Sequence, residues 1–537
     1  MVSKGDDVAT ISDVDVEHTE RLPDAAEANA QEHELTFWQG IKLYPKAVFW
    51  SLAMSTVIIM EGFDNKLLPT LYALPVFREQ FGHMNSHKKY EISAPWQSGL
   101  GNGASIGQLA GLLIGGHLIE RYGFRKMMLA GQTAIVGCIF IQFFAKSLPV
   151  LLVAQIVFGI PLGIFQASAV VYALELGPLC LRAYLTNYIH LCWALGQLLA
   201  VGSVRGLLKR GDEWSYRIPF AMQWMWPTLL IPLTYFAPES PWWHARRGQP
   251  AQAKANLKRL VSPKNTEFDF DKHVALMVLT TRHELEIESG TSYRTCFQGT
   301  NLRRTIIVMM IYCVQTLNGN PLRGFSTYFF QKAGLQTTQS FNMSIIQFAV
   351  AILGGITSWP LLPLAGRRTL YMTGLFLLLT IMASIGALGI PQAHNPKSDL
   401  SWGIGSLLVI SSFIYYASVG PLTNTICVEI PSAMLRSKSI ALARGAYIIT
   451  TIIAGVLTPY QLNEDAWNWG AKTAFFWLGG CIISFTFSYF CLPETKDRTT
   501  AETDYLFEKK VSARNFAKTP VNFEAAITGV EGKDVQV

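Results

Sequence analysis

Glu61 and Asp64 lie three residues apart in an otherwise apolar run near residues 47–72. Residues three apart share one face of a helix, and a charge inside so apolar a segment is costly. A carboxyl group removed from water can take up and release a proton, as proton relays in membranes do. The pattern predicts proton handling at these two residues. A permanent ion pair with a basic residue such as Arg444 is the structural alternative.

Acidic and basic residues also recur at the ends of apolar runs, and they recur twice. Glu175 and Glu429 are 254 positions apart, and each is followed seven residues later by an arginine, Arg182 and Arg436. The segments Pro238-Glu239-Ser240 and Pro493-Glu494-Thr495 repeat at an offset of 255. Two agreeing offsets predict a duplicated chain.

The composition excludes an ordinary soluble enzyme. Of 537 residues, 50% are hydrophobic and only 15% are charged, where soluble domains average about 25% charged. The mean hydropathy of +0.26 over so long a chain needs many long apolar runs. The net charge of +7 comes from basic clusters between those runs, which is typical of cytoplasmic loops and not of a nucleic-acid partner.

The hydropathy pattern predicts an all-α membrane protein with twelve transmembrane helices in two pseudo-symmetric halves of six. The apolar runs lie near 47–72, 98–119, 126–145, 150–172, 185–206, 219–237, 304–328, 342–363, 369–390, 402–422, 439–459 and 472–492. Lysine and arginine are concentrated in the loops after the even-numbered runs 2, 4, 8 and 10. By the positive-inside rule, both termini and the central linker are expected to be cytoplasmic.

These runs divide the chain into five segments. We expect a disordered tail at 1–45, a six-helix half at 46–238, a linker with short helices at 239–302, a second half at 303–493 and a tail at 494–537. The start of the chain is polar and acidic, so no cleavable signal peptide is predicted. Eight scattered cysteines without a CxxC or Cys/His cluster predict neither a metal site nor a disulfide framework.

Two such halves with a binding site between them resemble the major facilitator transporters, which rock one half against the other. The loop Gly116-His-Leu-Ile-Glu-Arg-Tyr-Gly-Phe-Arg-Lys126 resembles the signature of that superfamily, with Glu for Asp, and Gly366-Arg-Arg is its counterpart in the second half. Pairing and parting of charges at span ends would bias two conformations, whereas basic loops that only fix topology are the alternative. The expected latch residues are Glu120, Arg121, Arg125, Glu175, Arg182, Glu239, Arg367, Arg368, Glu429, Arg436 and Glu494.

Five motifs in order resemble the sugar porter family: the superfamily loop, Glu175 with Arg182, PESPWW, Glu429 with Arg436, and PETKDR. More narrowly, the chain from about 40 to 515 resembles the fungal α-glucoside (maltose) permeases, through YPKAVFWS, LCWALGQL, PFAMQWMWP, STYFFQKAG, EIPSAMLRSKSIALAR and YQLNEDAWNWGAK. This resemblance implies a plasma-membrane proton symporter for maltose-like oligosaccharides.

The resemblance also implies roles for single residues. Asp64 is the expected proton site, with Glu61 and Arg444 beside it. Sugars are bound by amides and aromatic faces, and helix packing is the alternative for each aromatic residue. The expected sugar contacts are Gln166, Gln197, Gln315, Asn424, Trp193, Phe325 and Tyr416.

Several residues depart from the permease pattern, among them Gln108, Lys66, Pro69 and Arg323. Gln108 stands where the permeases carry a glutamate, and an amide cannot carry the proton. Lys66 and Arg323 replace apolar residues and add positive charge near the expected pathway. They would contact an anionic solute, or they would extend their charged ends to the outer surface as a purely structural alternative.

A sugar:proton symporter is therefore the leading hypothesis. An uncoupled facilitator or exporter of another polar or anionic metabolite is the alternative, and a transporter-like nutrient sensor is a third. No cofactor and no enzymatic site is predicted. The expected partners are the solute, a proton and the lipid bilayer, and a monomer is the default state.

Overall fold

The computed structural model describes residues 27, 35–85, 88–262, 268–289, 292–394, 399–496, 498 and 500–519. Of the two expected tails, positions 1–26, 28–34 and 520–537 lie outside the described residues. Within the tails, Phe37–Leu43 and Thr500–Glu508 form helices. Two-residue strands, His83–Met84 and Tyr90–Glu91, pair antiparallel in the loop after the first span.

Each of the twelve predicted runs corresponds to one helix or to consecutive helices, which we number as spans 1 to 12. Their bounds are Pro45–Ser55 with Val57–Leu71 (span 1), Ala94–Tyr122 (2), Phe124–Phe143 (3), Leu148–Leu176 (4), Leu179–Leu207 (5), Trp214–Met222 with Met225–Phe236 (6), Gly299–Leu317 with Asn320–Gly324 and Ser326–Lys332 (7), Thr337–Leu364 (8), Arg367–His394 (9), Leu400–Ala417 with Val419–Glu429 (10), Arg436–Leu462 (11) and Thr473–Cys491 (12).

By length and hydropathy alone, eight helical segments among the described residues could cross a membrane, and they correspond to spans 1, 3, 4 and 8 to 12. Spans 6 and 7 are divided into shorter helices. Spans 2 and 5 are each 29 residues long, but they carry many glycine and polar residues. Such residues face the protein interior in a bundle, so hydropathy understates these spans.

Short helices join the two halves. Pro241–Arg246, Pro250–Leu260, Phe270–Ser289 and the 3₁₀ helix Tyr293–Phe297 follow span 6. We call the side of the bundle that carries them the linker face, and the other side the opposite face. Because consecutive spans alternate in direction, the loops after spans 2, 4, 8 and 10 also lie on the linker face.

The apolar core has three main parts. One cluster lies within the first half and the linker, and it includes Phe158, Phe165 and Tyr172. A second lies mostly in the second half. The third contains residues of both halves near the opposite face, where the ring of Tyr72, which follows span 1, stacks on that of Phe325 in span 7 with 6.4 Å between the ring centres. The bundle is therefore closed on the opposite face.

Glycines let spans 1 and 5 touch along their backbones. A Cβ atom at Gly62 would lie 2.3 Å from the Trp193 carbonyl oxygen, and one at Gly196 would lie 2.1 Å from the Ile59 carbonyl oxygen. Small residues allow such close helix packing in membranes. This approach holds Glu61 beside Trp193.

Replacing Gly196 by Ala should force spans 1 and 5 apart and destabilise the fold by about 1–3 kcal/mol, as overpacking does. We expect a melting temperature several degrees lower for the detergent-purified variant. Gly202→Ala is the matched control, because a Cβ atom there, on the same helix, meets nothing within 4 Å. Equal melting temperatures for the two variants would contradict this close packing.

Candidate functional site

A cavity of about 200 Å³ lies between the two halves. A single water needs about 10–15 Å³ by this measure, so the cavity has room for a small polar solute. Both halves line it, and its polar lining comprises Glu61, Asp64, Asn65, Lys66, Asn102, Ser105, Gln108, Gln155, Gln166, Gln197, Thr316, Asn320, Arg323, Gln347, Ser412 and Thr451, with the aromatic residues Trp193, Phe325, Phe348, Tyr416 and Tyr447.

Asp64 is surrounded by amides. It is only 2% exposed, and Gln223 Nε2 of span 6 donates to its Oδ1 at 3.4 Å. Gln155 of span 4 lies near this carboxyl group, and in the described ranges both of its amide atoms are buried without a hydrogen-bond partner. No basic side chain lies within 4.0 Å of Asp64 in the part of the chain that the structure describes. Neutral amides can stabilise both the charged and the protonated carboxyl group, so this environment permits proton exchange.

Glu61 has a different environment. Gln166 Nε2 donates to its Oε1 at 3.2 Å, and Trp193 hydrogen-bonds to it. The positive charge of Arg444 acts on it electrostatically, although the two side chains form no ion pair within 4.0 Å in the described ranges. Arg444 lies 6.0 Å from the centre of the Tyr312 ring. The permanent ion pair with Arg444 is therefore absent here, and the arginine acts on Glu61 at a longer range.

The structure brings five of the seven expected sugar contacts to the cavity: Gln166, Trp193 and Gln197 from the first half, and Phe325 and Tyr416 from the second. The other two are held elsewhere. Gln315 accepts a hydrogen bond from the Tyr415 hydroxyl at 3.4 Å. Asn424 contacts His190 Nε2 at 2.7 Å, which joins the two halves.

The sequence did not predict four polar residues at or beside the cavity: Gln155, Gln223, Asn102 and Gln347. Of these, Asn102, Gln155 and Gln347 line the cavity directly, whereas Gln223 reaches it through Asp64. Each of the four is a polar residue within an apolar run, but many residues outside the site have the same property, so the sequence does not single them out.

Span 7 is broken beside the cavity. Its first helix ends at Leu317, and Gly319 follows with φ of +82°. A Cβ atom at Gly319 would also lie 2.8 Å from Met382 Sδ, so glycine suits both the backbone and the space. The short helix Asn320–Gly324 then places Arg323 at the cavity wall.

Lys66 and Arg323 are both buried, at 2% and 3% exposure. Lys66 Nζ donates to the Gly324 carbonyl and, at 3.0 Å, to Ser326 Oγ. Arg323 donates to the carbonyl and the side chain of Asn318, and it lies 4.6 Å from the Tyr415 ring centre. The alternative in which these side chains extend to the outer surface is therefore wrong, because both turn inward and bond to the break in span 7.

The two halves interlock on the opposite face. Glu91 accepts hydrogen bonds from the Tyr328 hydroxyl and, at 2.7 Å, from Lys332 Nζ. Lys332 also pairs with Glu464 at 3.0 Å, and Asn463 donates to the Ile92 carbonyl at 2.9 Å. The interlock thus joins the loop after span 1 to the ends of spans 7 and 11.

On the linker face, two equivalent carboxylates bind helix N-termini. Glu239 accepts from the backbone N–H groups of Phe124 and Arg125 at 2.9 and 3.2 Å. Glu494 accepts from those of Arg367 and Arg368 at 2.7 and 3.1 Å. Burial raises the pKa of Glu239, and these backbone donors oppose that rise. Both latch residues therefore bond to backbone at the start of spans 3 and 9, and neither pairs with an arginine side chain among the residues that the structure describes.

A second equivalent pair of carboxylates lies beside them. Glu175 pairs with Arg246 of the linker and accepts from Ser240 Oγ, and Glu429 pairs with Arg367 at 3.4 Å and accepts from Thr495. The other expected latch residues are placed as follows: Glu120 and Arg121 end span 2, Arg125 lies over the Tyr235 ring, Arg182 donates to the Gly177 carbonyl, Arg368 donates to the Tyr489 carbonyl and Arg436 begins span 11.

Comparison with known proteins identifies the family. The family model described as "Sugar (and other) transporter" matches residues 50–507. The chain belongs to this family. The transporter is 40% identical over 505 residues to the general alpha-glucoside permease of Saccharomyces cerevisiae, an alignment that covers 93% of this chain and 81% of the relative. It is also 40% identical to maltose permease MAL31 of the same yeast, over 94% of this chain and 83% of the relative. The resemblance to sugar porters and fungal α-glucoside permeases is confirmed.

Solved structures show the same fold. The transporter matches the partially occluded inward-open xylose transporter XylE from E. coli with a TM-score of 0.66 and 19% identity, over 84% of this chain and 99% of that chain. It matches the XylE proton:xylose symporter bound to 6-bromo-6-deoxy-D-glucose with a TM-score of 0.68 and 20% identity, over 86% and 99%. The predicted fold of twelve helices in two halves is confirmed.

Replacing Glu91 by Gln should weaken closure of the opposite face, because the amide loses the charge that Lys332 binds. Lys332 still pairs with Glu464, so we expect the closed state to be destabilised by about 1–3 kcal/mol, the range for a hydrogen bond to a charged group. Spin labels are placed at the exposed positions Gln80 and Lys472, one in each half. In the Glu91 variant, a larger share of molecules should show a long distance between the two labels. Glu79→Gln, at an exposed position, is the control, and an unchanged distance distribution in the Glu91 variant would argue against the interlock.

Proposed function

We propose that the transporter is a symporter of α-glucosides and protons that works by alternating access. The observation that carries the proposal is Asp64, a buried carboxyl group held among amides in a cavity that both halves line. The names of the yeast relatives, an alpha-glucoside permease and a maltose permease, support this substrate class. Asp64 binds the proton, while Gln166, Gln197 and Trp193 bind the sugar.

The structure then represents one end of the transport cycle. The basic loops on the linker face support a cytoplasmic location for that face, with the opposite face outside the cell at the plasma membrane. In this state the outer side is closed by the Glu91 and Lys332 interlock. Opening that interlock on binding of solute and proton outside, and closing it again, moves the solute inward. One chain with its two halves is sufficient for this cycle in a bilayer.

Gln108 favours a second candidate, an uncoupled carrier. This residue lines the cavity on span 2, and its Nε2 is buried without a hydrogen-bond partner within the described ranges. An amide offers no titratable group, so any coupling must depend on Asp64 and Glu61. Coupling at Asp64 remains the proposal, because its amide shell permits proton exchange.

Asp64→Asn should abolish proton-driven accumulation, because the amide cannot be protonated in its place. The measurement is uptake of labelled maltose into a transporter-deficient yeast, at acidic and neutral external pH, with and without an uncoupler. We expect uptake by the parent protein to rise at acidic pH and to collapse with uncoupler. The variant should only equilibrate maltose, with uptake indifferent to uncoupler.

Asp212→Asn, at an exposed position in the loop after span 5, is the matched control and should keep accumulation. Maltose accumulation by Asp64→Asn that still collapses with uncoupler would refute the assignment of the proton to Asp64. Uncoupler-independent uptake by the parent would favour the uncoupled carrier.

Gln108→Glu adds a titratable group to the cavity without changing its size much. We expect the variant to take up more protons per maltose than the parent, measured as alkalinisation of a lightly buffered yeast suspension. Gln336→Glu is the control, because Gln336 lies at an exposed position outside the cavity. An unchanged proton to maltose ratio would make position 108 irrelevant to coupling.

A further inference from the structure

Two cations in the cavity wall lack an anionic partner. No carboxylate lies within 4.0 Å of Lys66 or of Arg323 among the residues that the structure describes. Their hydrogen bonds go to carbonyl, hydroxyl and amide groups at the break in span 7. Arg323 Nε is buried and has no acceptor in the described part of the chain. These neutral groups stabilise the two positive charges as dipoles, but none of them supplies a negative charge.

The cavity's own carboxylates do not neutralise them. Glu61 is engaged by Gln166, by Trp193 and by the field of Arg444. Asp64 accepts a hydrogen bond from Gln223, and under the proposed function it becomes neutral when it binds a proton. The proton-loaded cavity therefore carries a net positive charge on the side of Lys66 and Arg323.

Buried charges without a counterion are costly, and inside membrane proteins they face cavities and mark solute pathways. An anion entering the cavity would lower this penalty. The guanidinium group also offers fixed donors suited to a carboxylate.

We propose that the preferred solute is an acidic α-glucoside, in which a glucose unit is joined to a unit that carries a carboxylate. This inference rests on the proposed function and narrows its substrate class. The carboxylate lies against Arg323 and Lys66. The neutral glucose ring lies towards Trp193, Gln166 and Gln197 in the first half. Binding thus bridges both halves, and the negative charge of the solute offsets the proton that enters with it.

The test compares two ligands that differ in one group. Maltobionate and maltitol are both an α-linked glucose on an open-chain unit, and the first ends in a carboxylate where the second ends in an alcohol. Affinities of the purified full-length protein in lipid nanodiscs are measured by isothermal titration calorimetry, with maltose and gluconate alongside. We expect maltobionate to bind about ten- to a hundredfold more tightly than maltitol, the range for a charge-assisted hydrogen bond. Gluconate, which lacks the glucose ring, should bind weakly.

Arg323→Gln and Lys66→Met should each reduce the preference for maltobionate over maltitol at least severalfold. Measurable binding of maltitol by each variant shows that it is folded. Lys209→Met is the control, because Lys209 is exposed outside the cavity, and it should leave the ratio unchanged.

The outcomes separate the inference from the function on which it rests. Binding of maltose and maltitol with no preference for maltobionate would overturn the acidic substrate and leave the α-glucoside symporter intact. Failure of all three glucosides to bind would overturn both. Gluconate binding as tightly as maltobionate would also overturn the inference, since the cations would then serve a free carboxylate and not a glycoside.

Discussion

Charge inside a membrane protein must be neutralised, bonded or placed beside a solute, and this constraint organises the transporter. Each buried acid solves the problem differently. Glu61 has the field of a nearby arginine, whereas Asp64 accepts a hydrogen bond from the neutral amide of Gln223 and has no basic side chain within 4.0 Å among the described residues. The field of the arginine favours the charged form of Glu61, and the neutral amide beside Asp64 can bond to either form of that carboxyl group. The difference between these neighbours, three residues apart on one helix, is the physical basis for assigning the proton to Asp64.

The same constraint distinguishes the two faces of the bundle. On the linker face, Glu239 and Glu494 bond to helix N-termini of their own halves, where the helix dipole favours negative charge. These contacts hold together elements of one half. On the opposite face, Glu91 and Lys332 join one half to the other. Halves held together in this way, with a breakable contact between them, are what a rocking mechanism requires, because such an interface has discrete states and does not deform continuously.

The sequence predicted much of this architecture because its signals are one-dimensional. Twelve apolar runs, two agreeing repeat offsets and ordered motifs are enough to specify the bundle and its family. The resemblance to the permeases also implied a proton site at Asp64 and sugar contacts that include Gln166, Gln197 and Trp193. All four residues line the cavity.

Other features depend on helix rotation and backbone breaks, which no run of residue types encodes. Gln155 and Gln223 reach Asp64 from spans 4 and 6, and only the packed arrangement selects them from many polar residues. Gln315 and Asn424 turn to neighbouring helices. Lys66 turns inward because the end of the short helix Asn320–Gly324 leaves the carbonyl oxygens of Arg323 and Gly324 within its reach, so the surface orientation that is usual for a lysine near a span end does not apply.

The most direct test of the central claim is the number of protons that the purified transporter takes up when a glucoside binds. The protein in weakly buffered detergent solution is mixed with saturating maltose, and a pH-sensitive dye reports the protons removed from solution. The account predicts uptake of close to one proton per bound maltose, abolished in Asp64→Asn and retained in Glu61→Gln. Uptake that survives in Asp64→Asn, or maltose binding by the parent without any proton uptake, would contradict it.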